Sequence, residues 1–326
     1  MLAQHHEQGN EPLRAASCYF QSAERAVRAG DLDAAAERAH RALAYGLPDA
    51  DRAALLGLLS EVSIWRGEWD EVARWGDQAL RLAAPGTHPW GIALSAQMAI
   101  VLREGRIDPF LEVLRALLTV EPARDAVVDV AASINFGTLL LSTGGQFAVV
   151  DRCLQRIHAI VEPVAHREPV ARGWMQLSHV AIEPWAREDP WAGLQYAEAA
   201  RASFLEAHHR QNARLAQVMV GMNLWFLGAL EAAERELRGV LQGGPLHGPP
   251  AARHLFCFAG TLADRGALDE AHEVASRMVE AWQAQGIRIQ EGQGRRVLAD
   301  VLYRRGELAA AEREVRTALA LLTFPT

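Results

Sequence analysis

In the stretch "HVAIE", His179 and Glu183 stand four residues apart, which sets an imidazole and a carboxylate on one face of a helix. Such a pair can occupy two positions on a metal or pass a proton. No third ligand or nucleophile is identifiable in the sequence to complete either site. The adjacent pairs His5-His6 and His208-His209 point about 100° apart on a helix and do not readily share a metal. "EGQGRR" (291–296) sets two glycines beside two arginines, a faint phosphate nest, but it lacks a preceding strand and reads as a frayed helix start. No serine sits in a G-x-S-x-G elbow. All 33 basic residues are arginine, so there is no lysine for a P-loop, a Schiff base or a kinase-type phosphate grip. These residues predict no catalysis, no metal and no cofactor.

The composition narrows the partners. Net charge is −7 with both signs interspersed, leaving no basic face to hold nucleic acid by counterion release. No apolar run approaches the roughly 18–20 residues of a membrane span, and no basic-then-apolar leader opens the chain. Cys18, Cys153 and Cys257 are odd in number and far apart, each inside an apolar helical stretch. That pattern predicts reduced, buried thiols in the cytoplasm rather than a disulfide framework.

The elements that position these residues come from one repeated phrase. "AGDLDAAAERA" (29–39) returns as "RGEWDEVARWG" (66–76), "LGALEAAEREL" (227–237), "RGALDEAHEVA" (265–275) and "RGELAAAEREV" (305–315). Its glycine anchors are Gly30, Gly67, Gly105, Gly145, Gly228, Gly266 and Gly306, with Asp189 and Asn10 filling the slot elsewhere; from Gly30 onward the intervals run from 37 to 44 residues. A fixed period of this size means stacked supersecondary units. In each phrase a helix ends on a left-handed glycine. Two residues on comes an apolar plug such as Leu32, Trp69 or Trp191, and acidic residues follow in the next helix's first turn. Five after the anchor stands a small or apolar residue: Ala35, Val72, Phe110, Val150, Leu194, Ala233, Ala271 or Ala311. The phrase is the turn of a helical hairpin. A single hairpin cannot bury its apolar stripe, but a stack of them can. Residues 2–8 read as the end of a helix, so residues 1–326 are expected to form one helical-repeat domain, part of a longer chain.

This phrase resembles the tetratricopeptide repeat over nearly the whole chain, although the spacing exceeds that family's 34 residues. Helix pairs of this length are similar to the superhelical sensor of MalT-type bacterial regulators. The opening, "LAQHHEQGNEPLRAASCYFQSAERAVRAGDLDAAAERAHRAL", is similar to the segment that follows the ATPase module in such signal-transducing ATPases, some of which carry an upstream serine/threonine kinase domain. The resemblance implies an all-α, right-handed α-solenoid of about eight tetratricopeptide-like hairpins. It implies a sensing or docking array without catalytic activity of its own.

In such hairpins the first helix lines the inner groove, through positions 13, 10, 6 and 3 before the anchor. The row reads Ala132, Asn135, Leu139, Ser142; then Gln176, His179, Glu183, Ala186; then Leu215, Val218, Met222, Trp225; then Arg253, Phe256, Gly260, Ala263. Directed polar groups beside an aromatic wall are how ligand and peptide sites are built. The candidate binding residues are therefore Asn135, Gln176, His179, Glu183, Met222, Trp225 and Arg253. The same polar groups also suit an unused, solvated groove or inter-helix hydrogen bonds. A small effector, and a protein or peptide partner, are both open as occupants, so the reading is a regulatory sensor or a passive peptide-gripping scaffold.

Overall fold

The computed structural model describes residues 2–143, 146–180, 182–183, 187–244, 246–286 and 288–322. The anchor Gly145, together with Trp185 and Ala186, lies outside the described residues. Helix α1 (Leu2–Gln8) leads into eight hairpins. These are α2 (Pro12–Ala29) with α3 (Leu32–Leu43), α4 (Asp49–Arg66) with α5 (Trp69–Leu82), and α6 (His88–Arg103) with α7 (Ile107–Thr119). Next come α8 (Val127–Thr143) with α9 (Phe147–Val161), and α10 (Pro169–Val180) with α11 (Pro190–Glu206). The last three are α12 (Arg210–Phe226) with α13 (Leu230–Val240), α14 (Gly248–Asp264) with α15 (Leu268–Gln285), and α16 (Arg288–Arg304) with α17 (Leu308–Leu322). No strand occurs among the described residues. The molecule is an all-α solenoid of helical hairpins.

The turn chemistry accounts for the hairpins. Gly30, Gly67, Gly105, Gly228, Gly266 and Gly306 all have φ between 71° and 84°. At Gly266 the amide donates to Ala263 and the next amide, Ala267, reaches back to Leu262, which satisfies two carbonyls that the ending helix would otherwise orphan. Asn10 takes the same left-handed conformation at φ 54°. The residue five after the anchor is buried at Ala35, Val72, Phe110, Val150, Ala233, Ala271 and Ala311, so the paired helices close on it. The apolar plug is less uniform: Leu32 and Trp69 are buried, whereas Ile107, Phe147 and Leu308 are exposed.

The fifth hairpin corrects the sequence register. Its left-handed residue is Glu188 (φ 55°), not Asp189. Asp189 is instead the N-cap of α11 and accepts from the Ala192 amide at 2.9 Å, as Asp31 accepts from Ala34 at the head of α3. The small residue five after the anchor is then Gly193, where a Cβ would fall 2.2 Å from Asn223 Oδ1. Trp191, one place past the plug slot, is 58% exposed rather than packed.

The array also closes on itself. Helix α2 packs on α12 and α4 on α14, so the first hairpin rests on the sixth and the second on the seventh. At the second of these contacts the backbones nearly touch: a Cβ on Gly248 would lie 2.7 Å from the carbonyl oxygens of Ile64 and Trp65. Nearby, a Cβ on Gly286 would meet Arg103 Nε at 2.8 Å. One superhelical turn thus takes about five hairpins, and the inner side becomes a narrow space between successive turns.

The stretch Arg124–Ser142 is long and apolar enough to cross a membrane by length and composition, a correction to the expectation that no such run exists. It is 67% buried inside the fold, because α8 packs against α6, α9 and α10. Cys153 and Cys257 are buried free thiols, and Cys18 is half-buried.

Candidate functional site

A cavity of about 180 Å³ opens on the inner side of the superhelix. Most of its wall is apolar: Trp65 from α4, Phe136 and Leu139 from α8, Trp174 from α10, Met219 from α12 and Trp282 from α15. The cavity drifts along the first helices. In α4 it touches the last turns (Glu61, Ile64, Trp65), in α8 the middle, and in α12, α14 and α16 the opening half (Leu215, Arg253, Gln290). This drift follows from the closure, which brings the end of α4 onto the start of α14 at Gly248.

Its polar groups are few, and most are satisfied. Asn135 Nδ2 donates to Ser178 Oγ at 3.0 Å, which ties α8 to α10. Asp129 accepts from His88 Nδ1 at 2.5 Å. Burial opposes the charge on His88, but the bond and charge of Asp129, with Glu61 and Glu24 behind it, outweigh burial and hold the imidazolium up to about 9. Glu61 accepts weakly from Trp65 Nε1 at 3.4 Å. Burial, reinforced by the Asp129 charge, pushes its carboxyl up to about 7, so it sits near half protonation at neutral pH.

Arg253 is the exception. It lies one turn into α14, is 5% exposed and lines the cavity. Among the described residues its guanidinium has neither an ion-pair nor a hydrogen-bond partner; the Phe256 ring lies 5.9 Å away, and the Cys257 thiol is one turn on along the helix. Burial pulls its pKa down, yet a guanidinium stays protonated at any physiological pH. Gln290 Oε1, also in the wall, is buried without a partner among the described residues.

Of the seven residues read from the sequence, the structure places Asn135 and Arg253 on this cavity and the other five elsewhere. Gln176 Oε1 accepts from Ser203 Oγ at 2.8 Å, between α10 and α11. His179 stacks on Tyr196 with ring centroids 4.3 Å apart. Its Nε2 lies 2.8 Å from Nε2 of His158, a residue the sequence reading missed because it sits in the preceding hairpin. Two imidazoles on one tetrahedral zinc would hold these atoms about 3.3 Å apart, so the contact has the spacing of a hydrogen bond between the rings. Burial, with His158 and Arg187 adding to it, pulls His179 down to about 4. Glu183, 4% exposed, accepts from Arg187 at 2.8 Å, and burial raises its pKa. The one-residue shift of the anchor rotates α10 by about 100° relative to the sequence reading, which carries His179 and Glu183 off the inner face. Met222 is 2% exposed in the core. Trp225 covers Gly260, where a Cβ would fall 2.1 Å from the indole, and its Nε1 donates to Asp264 Oδ2 at 2.6 Å. Both lie in the second half of α12, away from the drifted cavity. The sequence reading also missed Glu61, Trp65 and Asp129, whose place on the wall depends on the superhelical path rather than on the repeat phrase.

No protein-family model matches the sequence, and no curated protein matches it. Solved structures similar to this chain include two tetratricopeptide-type examples. One is the TPR domain of P58(IPK), with 12% identity, a TM-score of 0.30, and coverage of 94% of this chain and 98% of that one. The other is yeast Tom70, with 10% identity, a TM-score of 0.33, and coverage of 94% and 76% respectively.

Proposed function

We propose that this array is a non-catalytic regulatory domain of the cytoplasm that takes a small effector in its inner cavity and reports occupancy to a signalling module. The observation that carries this reading is Arg253, a buried cation on the cavity wall with no partner of its own. An uncompensated buried charge costs several kcal/mol, and folding gains nothing from it. Its presence fits a site completed from outside. A means of reporting follows from the closure: the wall joins α4, α6 and α8 of one superhelical turn to α12, α14 and α16 of the next. An occupant touching both turns favours the closed spacing over a more open one, and only such differential binding shifts a conformational equilibrium. The resemblance of the opening segment to the sensor arrays of MalT-type regulators supports the same role.

Gripping a peptide is the second reading, and it meets a difficulty of size, since a 180 Å³ cavity holds little more than one large side chain. A thermal-melt screen separates the two. Metabolites should raise the melting temperature saturably, because a ligand bound only to the native state stabilises it by RT ln(1 + [L]/Kd). Stabilisation by peptides or proteins alone would replace the sensor with the scaffold.

A further inference from the structure

Resting on that reading, we infer that the cavity takes a small organic monoanion with an aromatic or aliphatic body: its carboxylate pairs with Arg253, and its body lies among Trp65, Phe136, Trp174 and Trp282. Three observations carry this. The first is charge. Within the cavity wall Asp129 is already paired to His88, and neither Glu61 nor Asp129 reaches Arg253. The one permanent charge left open is therefore positive. A planar guanidinium with several free N–H groups matches a carboxylate in a bidentate geometry, stronger than a neutral hydrogen bond and stronger still where water is scarce. The second is the lining: four aromatic side chains, Trp65, Phe136, Trp174 and Trp282, stand among aliphatic ones, and such a wall suits an apolar body that includes a ring. The third is size. A protein cavity of about 150 Å³ admits a benzene ring, so 180 Å³ accommodates one ring, or a compact pair, bearing a short acid arm.

The acidic side of the wall is compatible with an anion. Glu61, held near half protonation, donates rather than repels when neutral, and the His88 imidazolium cancels Asp129. With Glu61 protonated, the formal charge facing the ligand is +1 from Arg253. A dianion would leave one charge uncompensated in the same space. The expected class is a monocarboxylate.

The test is calorimetry on the whole chain with four probes of nearly one shape: phenylacetate, indole-3-acetate, the neutral phenylacetamide and the cation phenethylamine. The acids should bind saturably and on the order of 100-fold more tightly than the amide, the scale of a desolvated charge pair. Arg253→Met keeps the stem length and removes the charge. It should fold with an unchanged or higher melting temperature, since a buried unpaired charge is gone, and should erase the preference of acid over amide. The comparison of acid with amide on the native chain needs no variant, so a poorly folding Arg253→Met leaves the proposal open to refutation. Equal affinities for acid and amide, or a preference that survives Arg253→Met, overturn the anion while leaving an effector site in place. Preference for phenethylamine does the same and assigns the aromatic wall with Glu61 to a cation. Failure of all four probes, alongside stabilisation by peptides, overturns the effector site as well.

Discussion

Trp225 shows how far helical spacing alone can place one residue. An aromatic in "VGMNLWFLG", three before a turn glycine, belongs on the row that faces a groove, and its size suggests a binding contact. The structure spends that surface on the neighbouring helix. The indole lies over Gly260, meets the Phe256 ring edge-on at 5.8 Å and donates to Asp264. The signal was in the sequence, because Gly260 stands about one turn before Ala263, the matching position of the next hairpin, and a missing Cβ marks a close approach. Trp225→Ala should therefore cost about 2–4 kcal/mol of stability, the range for deleting a large, partly buried aromatic, and should leave ligand affinity in the folded fraction unchanged. Denaturant melts paired with calorimetry decide the matter; intact stability with lost affinity would return Trp225 to the binding site. Asn135 and Arg253, read by the same rule as Trp225, do line the cavity. The difference is position along the helix: they fall where the drifting cavity passes, and Trp225 falls beyond it.

At the scale of the element, the turns were the most legible feature, because the constraint is local and glycine meets it without steric cost. Gly266 has φ 81° and open space around a would-be Cβ, with nothing within 4 Å. The whole penalty of Gly266→Val is thus backbone strain, roughly 1–3 kcal/mol. Where glycine is absent the reading slipped by one. Both Glu188 and Asp189 are acidic, and Asp tolerates the left-handed region better than Glu does. But Asp is also a strong N-cap, and that use won, leaving Glu188 to take the strained conformation. Aligning "ED-P" on the capping aspartate of "GDL" at 30–32 instead of on the glycine would have recovered the register. Glu188→Gly should accordingly stabilise by roughly 0.5–1 kcal/mol, relief of left-handed strain less the added chain entropy. Opposite signs for the two substitutions in one set of urea melts confirm the turn assignment; a loss at both positions rejects it for the fifth hairpin.

At the scale of the whole molecule, nothing in the phrase specifies that hairpin two rests on hairpin seven, because each repeat encodes only its contacts with its neighbours. The closure depends on Gly248 meeting the end of α4, some 180 residues away in sequence, and with it came the cavity and its buried titratable groups. Buried titratable groups inside the cavity and elsewhere in the core set the pH dependence of stability. Burial, with a repulsive charge added, pulls His179 and His209 from 6.5 down to about 4, and burial lowers His254 as well. Between pH 6.5 and 4 the unfolded chain binds protons at these rings that the native state refuses, so stability falls as pH falls. Three carboxyls raised by burial, Glu61, Asp129 and Glu183, act against this trend, so the histidines and the carboxyls oppose one another on the acid side. On the other side, native His88 keeps its proton up to about 9 while the unfolded ring loses it near 6.5, so its contribution of about 2–3 kcal/mol is complete below 6.5 and lost as pH rises through 9. Burial also pushes the thiols of Cys153 and Cys257 up to about 11 and 12, which prolongs the decline above pH 9, where the unfolded cysteines ionise. Stability should therefore fall as pH rises from 6.5 through 9 and beyond. Melting temperatures taken in half-unit steps from pH 4.5 to 9.5 test this, and a curve still rising at pH 9 would show that His88 is not held charged by Asp129 inside the closed turn.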